Sequence, residues 1–279
     1  MNGKICIVTG SNSGIGKETA RALTEMGATI VMAVRDRTRG EVAKMEIAEV
    51  SGREPCDIML CDLASRESIR MFANQFKESY DRLDVLINNA GAVFRSRQLT
   101  TDGFESNLAV NYLGSFLLTH ELLPILRSSA PSRVINLTSG LHKRANVDFD
   151  DLQSKRKFSW RDAYGGAKLL LIMYTYELAR RLEGTGVTVN VVSPGFVATN
   201  LGGGTGSRLN KIMFRMMRPF QISAEEGAKT SLYVATSPEV EGVTGKHFAK
   251  SQISPSSEIS YDESLQKRLW DITEEMLCL

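Results

Sequence analysis

The 279-residue sequence predicts an α/β fold: a doubly wound parallel sheet of about seven strands with helices on both faces, built by a single domain over residues 1–279. Three observations predict it. Short β-branched runs alternate with amphipathic stretches along the chain. The runs are apolar almost throughout rather than at every second residue, as in strands buried on both faces of a parallel sheet. Glycines cluster where the first run meets the first amphipathic stretch.

Taken in order, strands are expected at residues 4–9, 28–34, 57–61, 85–88, 133–137, 187–192 and 244–249. Helical periodicity fills the intervals at 17–26, 39–50, 66–79, 103–127, 162–182 and 224–235, and Gly27, Gly52 and Gly184 follow three of these as helix stops. Two segments interrupt the rhythm. Residues 140–161 are polar and carry Lys143, Arg144, Lys155, Arg156 and Lys157; residues 201–221 open with three glycines, then mix Met213, Phe214, Met216 and Met217 with basic residues. Excursions of this length in a compact α/β unit are usually functional. From about residue 253 a Ser-rich C-terminal extension leads into a helical patch at 261–276, expected to pack on the outside.

Composition excludes several classes. With 42% hydrophobic and 24% charged residues, the chain is neither collagen-like, disordered nor coiled coil. Thirty-four Lys and Arg against 32 Asp and Glu give +2, which argues against nucleic acid as a partner. The four cysteines form no C-x-x-C pair and no metal-ligand spacing, and three lie in apolar runs, as expected for reduced, buried thiols in a cytoplasmic protein. No apolar run approaches the roughly 18 residues of a membrane span. Met1 to Lys4 lead straight into Ile5-Cys6-Ile7-Val8, so neither a signal peptide nor an N-terminal anchor is expected.

The turn Gly10-Ser11-Asn12-Ser13-Gly14-Ile15-Gly16 has the spacing of a backbone that approaches a pyrophosphate at a helix N-terminus. Lys17, in the first helical turn, opposes the helix dipole unless an anion lies nearby; a solvated lysine reads equally well. The end of the second strand selects the dinucleotide. Val34 stands where an NAD enzyme places an acid, and Arg35 offers a guanidinium to a 2′-phosphate, so NADP(H) is preferred, with NAD(H) as the alternative. Asp36 blurs this unless it pairs with Arg37. Asp62, closing the third strand, would accept from an adenine amine with the Leu63 amide returning the bond; a helix-capping role ahead of Ser65 is the alternative.

Tyr164-Gly165-Gly166-Ala167-Lys168 is the sharpest constellation. Residues four apart share a helix face, which brings a phenol beside an ammonium. A cation favours the phenolate, so such a tyrosine can exchange a proton with an alcohol or carbonyl oxygen. The two glycines imply close approach of a ligand or another backbone.

Thr9 to Gly16, Asn88-Asn89-Ala90-Gly91, Asn111, Ser139, Tyr164 with Lys168, and Pro194-Gly195 occur in the order and strand context of the short-chain dehydrogenase/reductase family, which the chain resembles over about residues 4–249. Residues 14–20, 110–114 and 151–154 resemble its retinol-dehydrogenase-like branch. The resemblance implies a Rossmann fold and hydride transfer between a nicotinamide cofactor and a carbonyl or alcohol. It implies Tyr164 as general acid/base, Lys168 as its neighbour and ribose ligand, Ser139 on the substrate oxygen rather than the adjacent Thr138, and Asn111 holding a relay water. It further implies Asn88, Asn89, Ala90 and Gly91 beside the adenine ribose, and Pro194, Gly195, Val197 and Thr199 at the nicotinamide end. Two departures stand out: Ala167 replaces the serine many members carry before the lysine, and 25 residues separate Ser139 from Tyr164.

The resemblance places a substrate lid at about 201–221, whose Met and Phe residues suggest a lipophilic aldehyde, ketone or alcohol; an amphipathic helix packed on the sheet edge and a basic face for peripheral membrane contact are the other readings. Leu-rich residues 113–126 and 169–178 could pair between subunits of a homo-oligomer, as the resemblance implies; core packing within one chain explains the same residues. The rival class is a non-catalytic dinucleotide-binding sensor on the same fold.

Overall fold

The computed structural model describes residues 1–53, 57–197 and 222–279. Its single sheet holds β1 (Ile5–Thr9), β2 (Thr29–Val34), β3 (Asp57–Leu60), β4 (Val85–Asn88), β5 (Ser132–Leu137), β6 (Val187–Ser193), β7 (His247–Ala249) and β8 (Gln252–Ile253), in the order 3-2-1-4-5-6-7-8. The first seven pair in parallel, and β8 runs antiparallel to β7. The eighth strand exceeds the expected count because its hairpin turn carries no glycine. Lys250 and Ser251 take φ of +52° and +57° there, a turn conformation that Asn-Gly normally signals.

Helices α1 (Gly14–Glu25), α2 (Arg37–Ser51) and α3 (Arg66–Ser79) follow β1, β2 and β3. Asp36 and Ser65 cap the last two, accepting from the Arg39 and Ser68 amides, and Gly52 closes α2 in the left-handed conformation. The helix expected over 103–127 is instead broken into α4 (Ser106–Leu108), a π-helical turn (Ala109–Leu113) and α5 (Gly114–Ser128). Glu105 starts it by taking the Asn107 and Leu108 amides at 2.9 and 2.8 Å. After β5 come a 3₁₀ turn (Gly140–Arg144) and α6 (Trp160–Arg181); α7 (Ala224–Thr236) and α8 (Glu263–Leu277) follow β6 and β8.

The sheet is buried on both faces. One apolar layer packs it under α3, α5, α6 and α8, and the other under α1, α2 and α7. In the two Leu-rich stretches, Leu117, Leu118, Leu122, Leu169 and Leu171 are all closed to solvent in the first layer, as the core-packing reading expects. The C-terminal helix α8 is therefore part of the core, with Leu269, Trp270 and Leu277 buried. Cys6 and Cys61 are buried, but Cys278 is exposed at the end of α8. Among the described residues, no helix is long and apolar enough to cross a membrane and no His, Cys, Asp and Glu cluster could hold a metal. The 201–221 segment lies outside the described residues.

Candidate active site

The carboxyl ends of β1, β4, β5 and β6 converge on one crevice, the position at which open α/β sheets bind ligands. The glycine turn between β1 and α1 forms one wall. Gly10 and Gly14 have φ of +66° and +56°. A Cβ on Gly16 would lie 2.4 Å from Asn89 Nδ2 and 2.5 Å from the Gly10 carbonyl, and one on Gly10 would lie 3.0 Å from Ala90 Cα. Gly10 and Gly16 are thus required by the chain's own packing, before any pyrophosphate. Ser11 is fully buried, while Ser13 begins α1 without a side-chain cap, and no acid occupies the first turn. Asn12 is half-buried and Ile15 is buried against the α7 layer.

The next segment joins this wall to the catalytic residues. The Asn89 amide donates to the Thr9 carbonyl at 2.7 Å, and the Ala90 N–H donates to Thr9 Oγ1 at 2.9 Å. A Cβ on Gly91 would lie 2.9 Å from Asn111 Oδ1 and 3.4 Å from Lys168 Nζ, so only glycine lets the strand end pass between them. Asn88 does not line the crevice. It is buried and donates to Thr119 Oγ1 and Asn136 Oδ1 at 2.9 and 2.8 Å, because its side chain points from β4 into the core.

Tyr164 and Lys168 are both buried on α6. Lys168 Nζ donates to the Leu137 carbonyl at 2.8 Å, and burial lowers its ammonium to about 8. Burial raises the Tyr164 phenol above its ordinary value, partly offset by a hydrogen bond with Ser139. The expected lowering of the phenol by Lys168 is not what this arrangement produces. The ammonium is directed at Leu137, and desolvation dominates at Tyr164. Thr138 and Ser139 divide their roles. Thr138 is buried with its hydroxyl on the Lys168 carbonyl at 2.9 Å, leaving the half-buried Ser139 for Tyr164. Gly165 is explained by a neighbouring backbone, since its Cβ would meet the Leu141 carbonyl at 3.1 Å.

Asn111 sits in the π-helical turn with its side chain fully engaged. Its Oδ1 accepts from the Ala92 N–H at 3.1 Å, and its Nδ2 donates to the Ala92 and Asn107 carbonyls at 2.8 and 2.9 Å. It fixes the 91–92 backbone rather than offering a free amide. At the end of β6, Pro194 leads into Gly195 (φ +90°), and the buried Val197 forms a bridge with Ile222. Thr199 lies outside the described residues.

At the other end of the crevice, Val34 is buried and Arg35 is exposed without a carboxylate partner among the described residues. Asp36 is occupied as the α2 cap, and Arg37 reaches Glu41 instead. Asp62 Oδ1 accepts from the Ala64 amide at 2.9 Å, and the cap of α3 is Ser65, not Asp62; Leu63 is buried beside it. Lys17 turns away to pair with Glu46 at 2.7 Å, so it reports no anion.

Sequence reasoning missed His142. Its ring Nδ1 and its N–H reach the Ser139 carbonyl at 2.7 and 3.0 Å, holding the serine backbone from both sides. Burial lowers its pKa, which keeps the ring neutral and able to donate there. A lone histidine carries no sequence signal for such a contact.

These residues fit a nicotinamide dinucleotide. The uncapped, acid-free α1 N-terminus suits a diphosphate, and Arg35, with no carboxylate partner among the described residues, suits a further phosphate. Comparisons with known proteins agree. The family model for short chain dehydrogenase matches residues 4–209. Retinol dehydrogenase 14 of Homo sapiens is 43% identical over 294 aligned residues, covering 100% of this chain and 88% of that protein. Retinol dehydrogenase 11 of Mus musculus is 42% identical, with coverage of 100% and 88%. A crystal structure from Mycobacterium paratuberculosis superposes with a TM-score of 0.81 at 30% identity, covering 99% of this chain and 94% of that one. The NADP active-site complex of Pseudomonas aeruginosa RhlG gives 0.69 at 27% identity, covering 90% and 95%.

Proposed function

Because the chain belongs to the short-chain dehydrogenase/reductase family and is an NAD(P)-dependent oxidoreductase, we propose that it uses NADP(H) to interconvert a lipophilic aldehyde or ketone with its alcohol, Tyr164 carrying the proton. The observation that carries this reading is the convergence of Tyr164, Lys168 and Ser139 on the crevice that the glycine turn shares through Ala90 and Gly91.

A bound nicotinamide dinucleotide supplies the hydride in reduction and accepts it in oxidation. The uncapped amides of α1, Arg35, Asn89 to Gly91, Pro194, Gly195 and Lys168 would hold it. Burial keeps the Tyr164 phenol protonated at neutral pH, so it stands ready to donate to a carbonyl oxygen as negative charge develops there. Ser139 places a second hydroxyl beside that oxygen, and His142 keeps the serine in place. Lys168, anchored on Leu137, retains two N–H groups for neighbouring hydroxyls. Asn111 and Gly91 keep the opposing backbone close to that ammonium. Two exposed apolar side chains near the site, Leu141 after Ser139 and Phe196 after Gly195, support an apolar substrate. The engagement of Asp36 in helix capping supports NADP(H), since Asp36 then leaves the neighbouring Arg35 to a phosphate.

The test combines NADPH and NADH binding with oxidation of each against a panel of apolar aldehydes and ketones. Turnover is expected with NADPH and is expected to fall by at least about 100-fold in Tyr164→Phe with binding retained. Arg35→Gln should weaken NADPH roughly tenfold and leave NADH unchanged. Tight cofactor binding without turnover across the panel would move the assignment to a sensor.

A further inference from the structure

The polar segment 140–161 ends at an arrangement the catalytic reading does not use. Trp160, the first residue of α6, carries two guanidiniums over its ring: Arg95 at 5.5 Å and Arg161 at 4.8 Å from the ring centroid. We propose that this pair recognises a carboxylate on the substrate, so that the enzyme acts on lipophilic carbonyl compounds bearing an acid group remote from the reacting carbon. The proposal rests on Tyr164 as the proton donor at the other end of the same cleft.

Helix spacing places the pair relative to the proton donor. Trp160 precedes Tyr164 by four residues and Lys168 by eight, so the three share one face of α6, spaced about 6 Å apart along its axis. The segment 91–95 forms the facing wall. Its inner end, Gly91, abuts Lys168, and its outer end, Arg95, lies over Trp160. Four residues reach at most about 14 Å, which matches the roughly 12 Å that eight helical residues span. That wall is pinned: Asn111 holds the N–H and carbonyl of Ala92, and Asn107 accepts from the Phe94 N–H and donates to its carbonyl, both at 3.0 Å. Arg95 is therefore carried on a fixed backbone about one helical turn above the proton donor.

Charge supplies the chemistry. Neither Arg95 nor Arg161 forms an ion pair or hydrogen bond to a carboxylate among the described residues, although nearby Arg156 pairs with Asp148 and Asp151. Asp162, the acid next in sequence, is two residues from Trp160 and so projects to another side of α6, where it lines a cavity of about 410 Å³ with Asn146, Asp151 and Leu170. A guanidinium stacked on a ring keeps its edge N–H groups free for an oxyanion.

The experiment compares 4-carboxybenzaldehyde with its neutral methyl ester under both cofactors, and adds calorimetric titration with terephthalate, which carries carboxylates but no reducible carbonyl. In the wild type, kcat/KM for the acid should exceed that for the ester by roughly tenfold, falling to near parity in the Arg95→Gln/Arg161→Gln double variant, which also loses terephthalate binding. Parity in the wild type, or a preference that survives the double variant, would overturn the proposal. Failure to reduce either aldehyde with arginine-dependent terephthalate binding would leave the anion site standing and remove the reductase reading; failure of both would remove both.

Discussion

At the scale of single residues, the site concentrates its cost in Lys168. An ammonium held in the interior by the Leu137 carbonyl drops from near 10.5 to about 8, which corresponds to roughly 3 kcal/mol of native-state penalty at neutral pH. Removing the charge also leaves the Leu137 carbonyl unpaired, which returns about 1 kcal/mol. Lys168→Met is therefore expected to abolish turnover while stabilising the fold by about 2 kcal/mol, a rise of roughly 5 °C in Tm at pH 7. The pH dependence has a fixed sign. Between pH 8 and 10.5 the folded chain releases the proton while the unfolded chain keeps it, so wild-type stability rises with pH through that window. The gap between variant and wild type should be widest below pH 8, close near pH 10 and reverse slightly above it, measured by urea unfolding along the series. A variant less stable than wild type at pH 7 would show that Lys168 is paid for by contacts other than the Leu137 bond.

At the scale of elements, the parts of the crevice are set by close approaches that only particular residues permit. Gly114, at the start of α5, is the clearest. A Cβ there would lie 2.6 Å from the Leu63 carbonyl, a backbone atom with little room to move. Gly114→Ala should cost about 2 kcal/mol in chemical unfolding and displace the end of β3, weakening dinucleotide binding without altering the pH profile of turnover. An unchanged unfolding midpoint would mean that the helix can shift without cost. The same element shows what was legible in advance. The parallel strands were readable because each is apolar over its whole length, and Tyr164 and Lys168 because helical spacing puts them on one face. The break in the 103–127 helix was not, since Glu105, Asn107 and Asn111 act through contacts with their own termini and with residues 92–94, which have no periodicity. Asn88 was misplaced for a related reason: the motif fixes its position at the end of β4 but not which way its side chain turns. His142 and the Arg95–Trp160–Arg161 stack arise from contacts between segments far apart or without a shared repeat, and the basic composition of 140–161 pointed only to the neighbourhood.

At the scale of the whole molecule, α8 determines what α5 and α6 present to the outside. Trp270 packs against Phe116 and Tyr174, with ring centroids at 5.0 and 5.9 Å, and Arg181 covers it at 4.0 Å. Thr273 bonds the Tyr112 hydroxyl at 2.6 Å, tying the helix to the π-helical turn that carries Asn111. The apolar face of α5 and α6 around Phe116 and Tyr174 is thus filled by the chain's own C-terminal helix. Trp270→Ala should cost about 3–5 kcal/mol, as large aromatic deletions from a core do. By loosening α8 it should also expose Phe116 and Tyr174 and turn the protein toward concentration-dependent self-association, seen as a rising mass by light scattering at temperatures where the fold persists. Asp271→Ala, on the exposed side of the same helix, should change neither quantity by more than about 0.5 kcal/mol or its equivalent. If Trp270→Ala lost stability without gaining mass, α8 would be a brace for the π-helical turn alone. A gain in mass with stability retained would identify it instead as a cover over an association surface.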